Sequence, residues 1–153
     1  MIDIFFKLNG QTVLSQNLRL LNEVERENVL WIDLSSPTGE EKRAVEKFLD
    51  TTIQSRAQAE EIESSSRYSE TETTIFANTN FMIPSPENYN MEAVSFILSH
   101  SVLVSIRTVP LRSFTDIQRR LLANYKIYPT SFHILVSILE NRIDMDADMI
   151  ELM

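Results

Sequence analysis

Apolar and polar residues alternate from the start of the chain. Ile2, Ile4, Phe6 and Leu8 stand against Asp3, Phe5 and Lys7, a period of two that predicts a strand. Asn9-Gly10 and then Gln11-Thr12-Val13-Leu14 follow, so the chain opens as a hairpin whose turn residues both tolerate positive φ. Val29-Leu30-Trp31-Ile32-Asp33-Leu34 predicts a mostly buried strand. Thr38 with Glu41 three residues on forms a capping box, and Ala44, Val45, Phe48 and Leu49 give the helix it starts one apolar face. A second helix is expected over 53–62, closing on Glu60-Glu61-Ile62-Glu63, with Ser64-Ser65-Ser66-Arg67 breaking it.

β-forming residues predict strands over 73–81, 93–98 and 102–106, the last two joined tightly at Ser99-His100-Ser101. Two prolines mark 83–88 as an exposed turn. After Pro110, Ser113 and Asp116 resemble a helix cap, and Phe114, Ile117 and Leu121 share a face. Beyond Tyr128-Pro129-Thr130, the residues Phe132, Leu135, Val136, Leu139, Ile143, Ala147 and Ile150 recur at helical spacing. No glycine or proline stops this last helix before Met153, so it would span ~35 Å and end without a cap. The expectation is a chain cut from something longer. Hairpin and crossover connections together predict an α/β fold: an α/β/α sandwich with a mixed β-sheet flanked by helices. Its core would occupy 1–128, with 129–153 as the truncated start of a long helix.

Composition narrows the function classes. At 153 residues, with 43% hydrophobic and 24% charged residues, the chain can bury one sizeable core. Asp and Glu outnumber Lys and Arg by 22 to 14, a net charge of −8, which repels nucleic-acid phosphates and anionic lipid and attracts cations. Two glycines leave no phosphate-cradling loop, and the lack of cysteine removes disulfides, thiolate metal sites and a thiol nucleophile. No apolar run approaches the ~18 residues of a membrane span, so the piece is expected to be soluble.

Candidate chemistry is sparse. His100 and His133 stand far apart with no carboxylate at ligand spacing, and no nucleophile elbow or Walker loop occurs, so an enzyme is not expected. Glu140, Asp144, Asp148 and Glu151 follow steps of three and four along one helix face, with Asp146 close by. Like charges at that spacing cost a few tenths of a kcal/mol per pair unless water or a cation screens them. The face is therefore either a solvated helix surface or a hard-cation surface, since carboxylate oxygens suit Mg²⁺ and Ca²⁺. Glu60, Glu61 and Glu63 form a second acidic cluster that helix solubility alone would explain.

Several stretches together resemble one family. Trp31-Ile32-Asp33-Leu34-Ser35-Ser36-Pro37-Thr38-Gly39-Glu40-Glu41 is similar to a segment near the start of CorA-type divalent-cation transporters. Glu60-Glu61-Ile62-Glu63 through Arg67 resembles that family's acidic stretch before a long strand, and Phe96-Ile97-Leu98 through Val102-Leu103-Val104-Ser105-Ile106-Arg107 its paired strands. Leu139-Glu140-Asn141-Arg142-Ile143-Asp144 follows the family's run into long coiled helices.

The resemblance implies a cytoplasmic domain at the inner membrane, part of a homopentameric channel whose two transmembrane helices and Gly-Met-Asn signature lie outside this sequence. It also implies metal sensing between neighbouring domains. Glu61 best matches the first carboxylate of that site, beside Glu60, and its long-helix partner would lie beyond Met153. Within this chain the acidic face offers Asp144 and Asp148. Mg²⁺ is the expected ion, with Co²⁺, Ni²⁺ or Zn²⁺ as alternatives, because zinc transporters share the scaffold. A stand-alone α/β binding module is the reading from another class.

Overall fold

The computed structural model describes residues 1–50, 68–71, 74–84 and 89–151. Among these residues seven strands form one mixed sheet: β1 Ile2–Leu8, β2 Gln11–Ser15, β3 Val29–Ser35, β4 Tyr68–Thr71, β5 Thr74–Pro84, β6 Tyr89–Ser99 and β7 Val102–Arg107. Their order is β2-β1-β3-β7-β6-β5-β4. Among the described residues only β3 and β7 run parallel; the opening hairpin and the β5-β6-β7 meander are antiparallel. The expected α/β/α sandwich with a mixed sheet is what forms.

Two faces of the sheet carry two cores because strand residues alternate sides. On one face Trp31, Leu103 and Phe96 lie under α2 (Arg112–Ala123) and α3 (Ser131–Glu151), whose Phe114, Ile117, Leu121, Ile134 and Ile138 are buried. On the other, Ile4, Ile32, Leu34 and Val104 lie under Val45 and Leu49 of α1 (Gly39–Leu49) and Leu21 of a 3-10 turn. The turns follow local chemistry. Asn9 and Gly10 both take positive φ (52° and 76°), and so do His100 and Ser101 (49° and 64°), matching the twist that two-residue hairpins require.

Four expectations need correction. The sheet has a seventh strand, the short polar edge strand β4, whose four residues are too few for a periodicity signal. Ile83 and Pro84 are not turn residues: β5 and β6 pair as far as Pro84↔Tyr89, and the proline ends its strand, where a missing N–H costs the ladder least. Ser113 does not cap α2; Leu111 occupies that position with no side-chain cap, and its burial rather than a hydrogen bond sets the start. The buried face of α3 is turned from the expected stripe, with Phe132 52% exposed and Ile134 and Ile138 fully buried. Ser131 explains the rotation. Its buried hydroxyl lies 2.8 Å from the Leu30 carbonyl and 2.7 Å from the Ser101 carbonyl, pinning the first turn to the sheet. The helix expected over 53–62 lies outside the described residues.

Candidate functional site

The strongest polar arrangement sits where α2 meets the parallel pair β3–β7. Asp33 lies in an otherwise apolar strand, beside Ser105, its register partner on β7. Its Oδ1 accepts from Ser105 Oγ at 2.9 Å, and Ser105 Oγ in turn accepts from Trp31 Nε1 at 2.8 Å. Arg107 binds the carboxylate with Nε (3.2 Å to each oxygen) and Nη2 (2.9 Å to Oδ2), and α2 adds Gln118 Nε2 at 3.1 Å. Arg107 Nη1 donates to the Val109 carbonyl at 2.7 Å, and its guanidinium lies 5.4 Å from the Phe114 ring centre. The Asp33 side chain is fully buried and that of Arg107 is 11% exposed. Every carboxylate oxygen is spoken for, so the site offers no open position for a ligand; it is a clasp between helix and sheet.

At the start of α1 a second carboxylate is held by a capping box. Glu41 N–H donates to Thr38 Oγ1 (3.1 Å), and Glu41 Oε1 accepts from Thr38 N–H (2.9 Å) and from the Met1 ammonium (3.0 Å). Partial burial by itself raises the Glu41 pKa. The Thr38 N–H, the hydrogen bond and charge of the ammonium, and the Thr38 hydroxyl together outweigh it, leaving the pKa below its ordinary value. A carboxylate with a lowered folded-state pKa adds stability above its unfolded value and loses it as pH falls through the folded one. The Met1 partner is largely in water, which screens the pair. Glu41→Gln keeps the cap but removes the charge, so it should cost about 0.5 kcal/mol near neutral pH. In urea unfolding the gap from wild type should begin to narrow near pH 4.5 and close once pH has fallen through the lowered folded-state pKa of Glu41, and a gap that does not narrow with falling pH would rule the charge out.

The acidic candidates fall differently. Glu60 and Glu61 lie outside the described residues. Asp144 and Asp148 stand one turn apart on α3, ~6 Å along its axis, where only the helical backbone is described. Glu140 is exposed, as are His100 in the β6–β7 turn and His133, whose Nδ1 is 2.7 Å from Thr130 Oγ1. Among the described residues no three His, Asp or Glu side chains converge as a metal group. A cavity of about 810 Å³ opens between the 3-10 turns and α1 over Leu21, Val24, Ala44 and Phe48. Its rim mixes Glu25 and Glu27 with Arg26, Lys47 and His100, so it has no net pull on a bare cation. Among the described residues no helix is long and apolar enough to cross a membrane.

Sequence reasoning passed over the Asp33 clasp. Its only signal was a carboxylate inside the apolar run Val29-Leu34, which burial makes costly without a partner.

Comparison with known proteins is informative over nearly the whole chain. The family described as CorA-like Mg²⁺ transporter protein matches residues 26–152. The magnesium transport protein CorA of Wolinella succinogenes is 33% identical over 156 residues, covering 99% of this chain and 49% of that protein. The chain spans about half the length of the curated relatives it matches. Among solved structures, the ZntB cytoplasmic domain from Vibrio parahaemolyticus superposes with a TM-score of 0.62 at 17% identity, covering 97% of this chain and 61% of that one. The soluble domain of CorA from Methanocaldococcus jannaschii gives 0.58 at 15% identity, over 97% and 60%. At those identities the likeness is one of fold.

Proposed function

This chain belongs to the CorA-like Mg²⁺ transporter family, and from that membership we propose that it is the regulatory, metal-sensing domain of a divalent-cation channel. The observation that carries the reading is the family match over residues 26–152, on an α/β/α body that continues into a long acidic helix. In this reading residues 1–128 form a body on the cytoplasmic side of the membrane. α3, which begins at Ser131 and buries its first turns in that body, leads on toward a pore in the remainder of the protein, and five copies assemble around it. The domain itself catalyses no reaction.

Glu61 with Glu60, and Asp144 with Asp148, are the carboxylates assigned to sensing. The donor set fits the ion: Mg²⁺ takes oxygen ligands, keeps several waters and needs only one or two carboxylates. Bound between subunits, the ion cancels the repulsion of facing acidic surfaces and clamps them; its loss restores the repulsion and loosens the assembly. Co²⁺ and Ni²⁺ could occupy the same oxygens. The fold likeness to the ZntB domain supports a second reading, in which Zn²⁺ is the ion.

Metal titration followed by thermal unfolding tests this. A ligand at 100 times its Kd stabilises by about 2.7 kcal/mol, roughly 5–10 °C for a chain of this size. Mg²⁺ should raise the midpoint by that order in the full-length parent, and Glu61→Gln with Asp144→Asn should remove the shift. If the parent shows no shift at millimolar Mg²⁺, the sensing role fails; a response to Zn²⁺ alone would select the second reading.

A further inference from the structure

Among the described residues nothing lies on the outer side of β2, the edge strand next to β1. Its five residues, Gln11-Thr12-Val13-Leu14-Ser15, carry no charge, no proline and no break in their register with β1. Charges, prolines and bulges are the devices that keep such an edge from pairing with another chain. The whole chain has a net charge of −8 and places none of it on this strand. The hairpin fixes which backbone groups are free. Leu8 and Gln11 flank the two-residue turn and exchange their N–H and C=O groups, so Val13 and Ser15 also face β1. Thr12 and Leu14 therefore turn their N–H and C=O groups outward. Their side chains lie on the α2 side of the sheet, since Leu14 is opposite Phe5 of that core, whereas Val13 packs into the core on the α1 side. Leu14 is 41% exposed, and Leu8, on the face of Val13, is 51% exposed.

We propose that β2 pairs antiparallel with β2 of a second copy about a two-fold axis through Val13, joining two sheets into one. The free groups select this register. Thr12 lies opposite Leu14 of the second copy and Leu14 opposite its Thr12, and each pair closes two hydrogen bonds. Centring the axis on Thr12 instead sets Leu14 against the turn residue Gly10, and centring it on Leu14 sets Thr12 against Gln16 beyond the strand, so either shift wastes one outward residue. With the axis at Val13, the two valines meet as a non-hydrogen-bonded pair and Gln11 meets Ser15. Apolar groups face each other or a threonine methyl, polar groups face polar ones, and no charge meets its like. A second copy is thus the occupant that this neutral edge matches residue by residue. The contact is isologous and closes at two copies, so it is separate from the ring of five proposed above and would link two rings rather than build one.

Because the chain has no cysteine, introduced thiols read the register directly. Cα atoms of a non-hydrogen-bonded pair are ~4.5 Å apart, within disulfide range, so Val13→Cys should cross-link to a dimer under mild oxidation. Gln11→Cys and Ser15→Cys should each stay monomeric alone, because like positions then lie ~14 Å apart, and should cross-link to one another when mixed. In sedimentation velocity the wild type should form a reversible dimer that strengthens with salt, as the net negative charge of each copy is screened. Leu14→Pro removes one outward N–H per copy without touching the ladder to β1, and should weaken the dimer roughly 30-fold. Leu14→Lys, a change at an exposed position, sets two like charges within ~8 Å across the axis and should weaken it as well; its unchanged melting midpoint keeps the test sound if the proline variant misfolds. Cysteines at 11 or 15 that cross-link alone as readily as at 13 overturn the contact. So does a dimer that neither Leu14 variant weakens. A monomeric wild type that binds a synthetic threonine-valine peptide would assign the edge to a foreign strand and overturn it too. If Val13→Cys fails to cross-link in a full-length parent that still forms rings, this contact falls and the metal-sensing assembly stands.

Discussion

Replacing Arg107 with methionine lowers the unfolding free energy by about 3–5 kcal/mol, which for a domain of this size moves the thermal midpoint by roughly 10 °C. The reason lies in what stays behind. Asp33 is fully buried, and three of its five contacts come from the Arg107 Nε and Nη2 groups; without them only Ser105 and Gln118 remain as donors. A carboxylate moved out of water and then left without its cation carries a desolvation penalty that two neutral donors cannot offset. The same logic predicts that Asp33→Asn in the Arg107→Met background recovers at least half of the loss, because the stranded charge is gone. A double-mutant cycle by urea denaturation measures both values. Salt should hardly change them, since the pair is shielded from solvent. An Arg107→Met chain within about 1 kcal/mol of wild type would show that the clasp contributes little.

Phe114→Ala is the other large effect, about 3–5 kcal/mol. Phe114 is the hub of the aromatic cluster under α2. Its ring centre lies 5.3 Å from Trp31 and 6.0 Å from both Phe81 and Phe96, with edge-on or tilted approaches that favour aromatic pairs. Truncation empties a space bounded by three rigid rings carried on three strands, so little collapse can refill it. Phe114→Leu, which keeps much of the volume, should cost under about 1.5 kcal/mol. Leu122→Ala on the exposed side of the same helix should stay within about 0.5 kcal/mol. Hydrogen exchange adds a spatial check: Phe114→Ala should expose the amides of α2 and early α3 before those of α1, which packs on the opposite face. Equal loosening of both faces would mean that the two cores unfold as one.

The elements legible along the chain are those whose signal is local. The Asn9-Gly10 turn, the Thr38–Glu41 capping box and the run Val29-Leu34 depend on backbone preferences within a few residues, and each forms as read. The acidic stretch of α3 was legible in the same way, because steps of three and four define a face. What those carboxylates meet was not, since a partner on another element or another subunit has no fixed offset in sequence. The Asp33 clasp shows the difficulty in one place: its partners stand 72, 74 and 85 residues away.

The amino-acid sequence by itself determined the element types, the chirality-bearing turns, the helix starts that carry their own caps and the family that the chain belongs to. All of these rest on short-range sterics and hydrogen bonds, or on the order of motifs along the chain. Tertiary structure decided the rest. β3 and β7 came together as a parallel pair although they lie far apart in sequence, because both are apolar on two faces and fill the centre of the sheet. α3 turned Ile134 and Ile138 inward in place of Phe132, because Ser131 is tied to the ends of β3 and the β6–β7 turn. Which residue of an apolar stripe is buried depends on the angle at which the helix meets its neighbours, and that angle is set by contacts the periodicity does not contain.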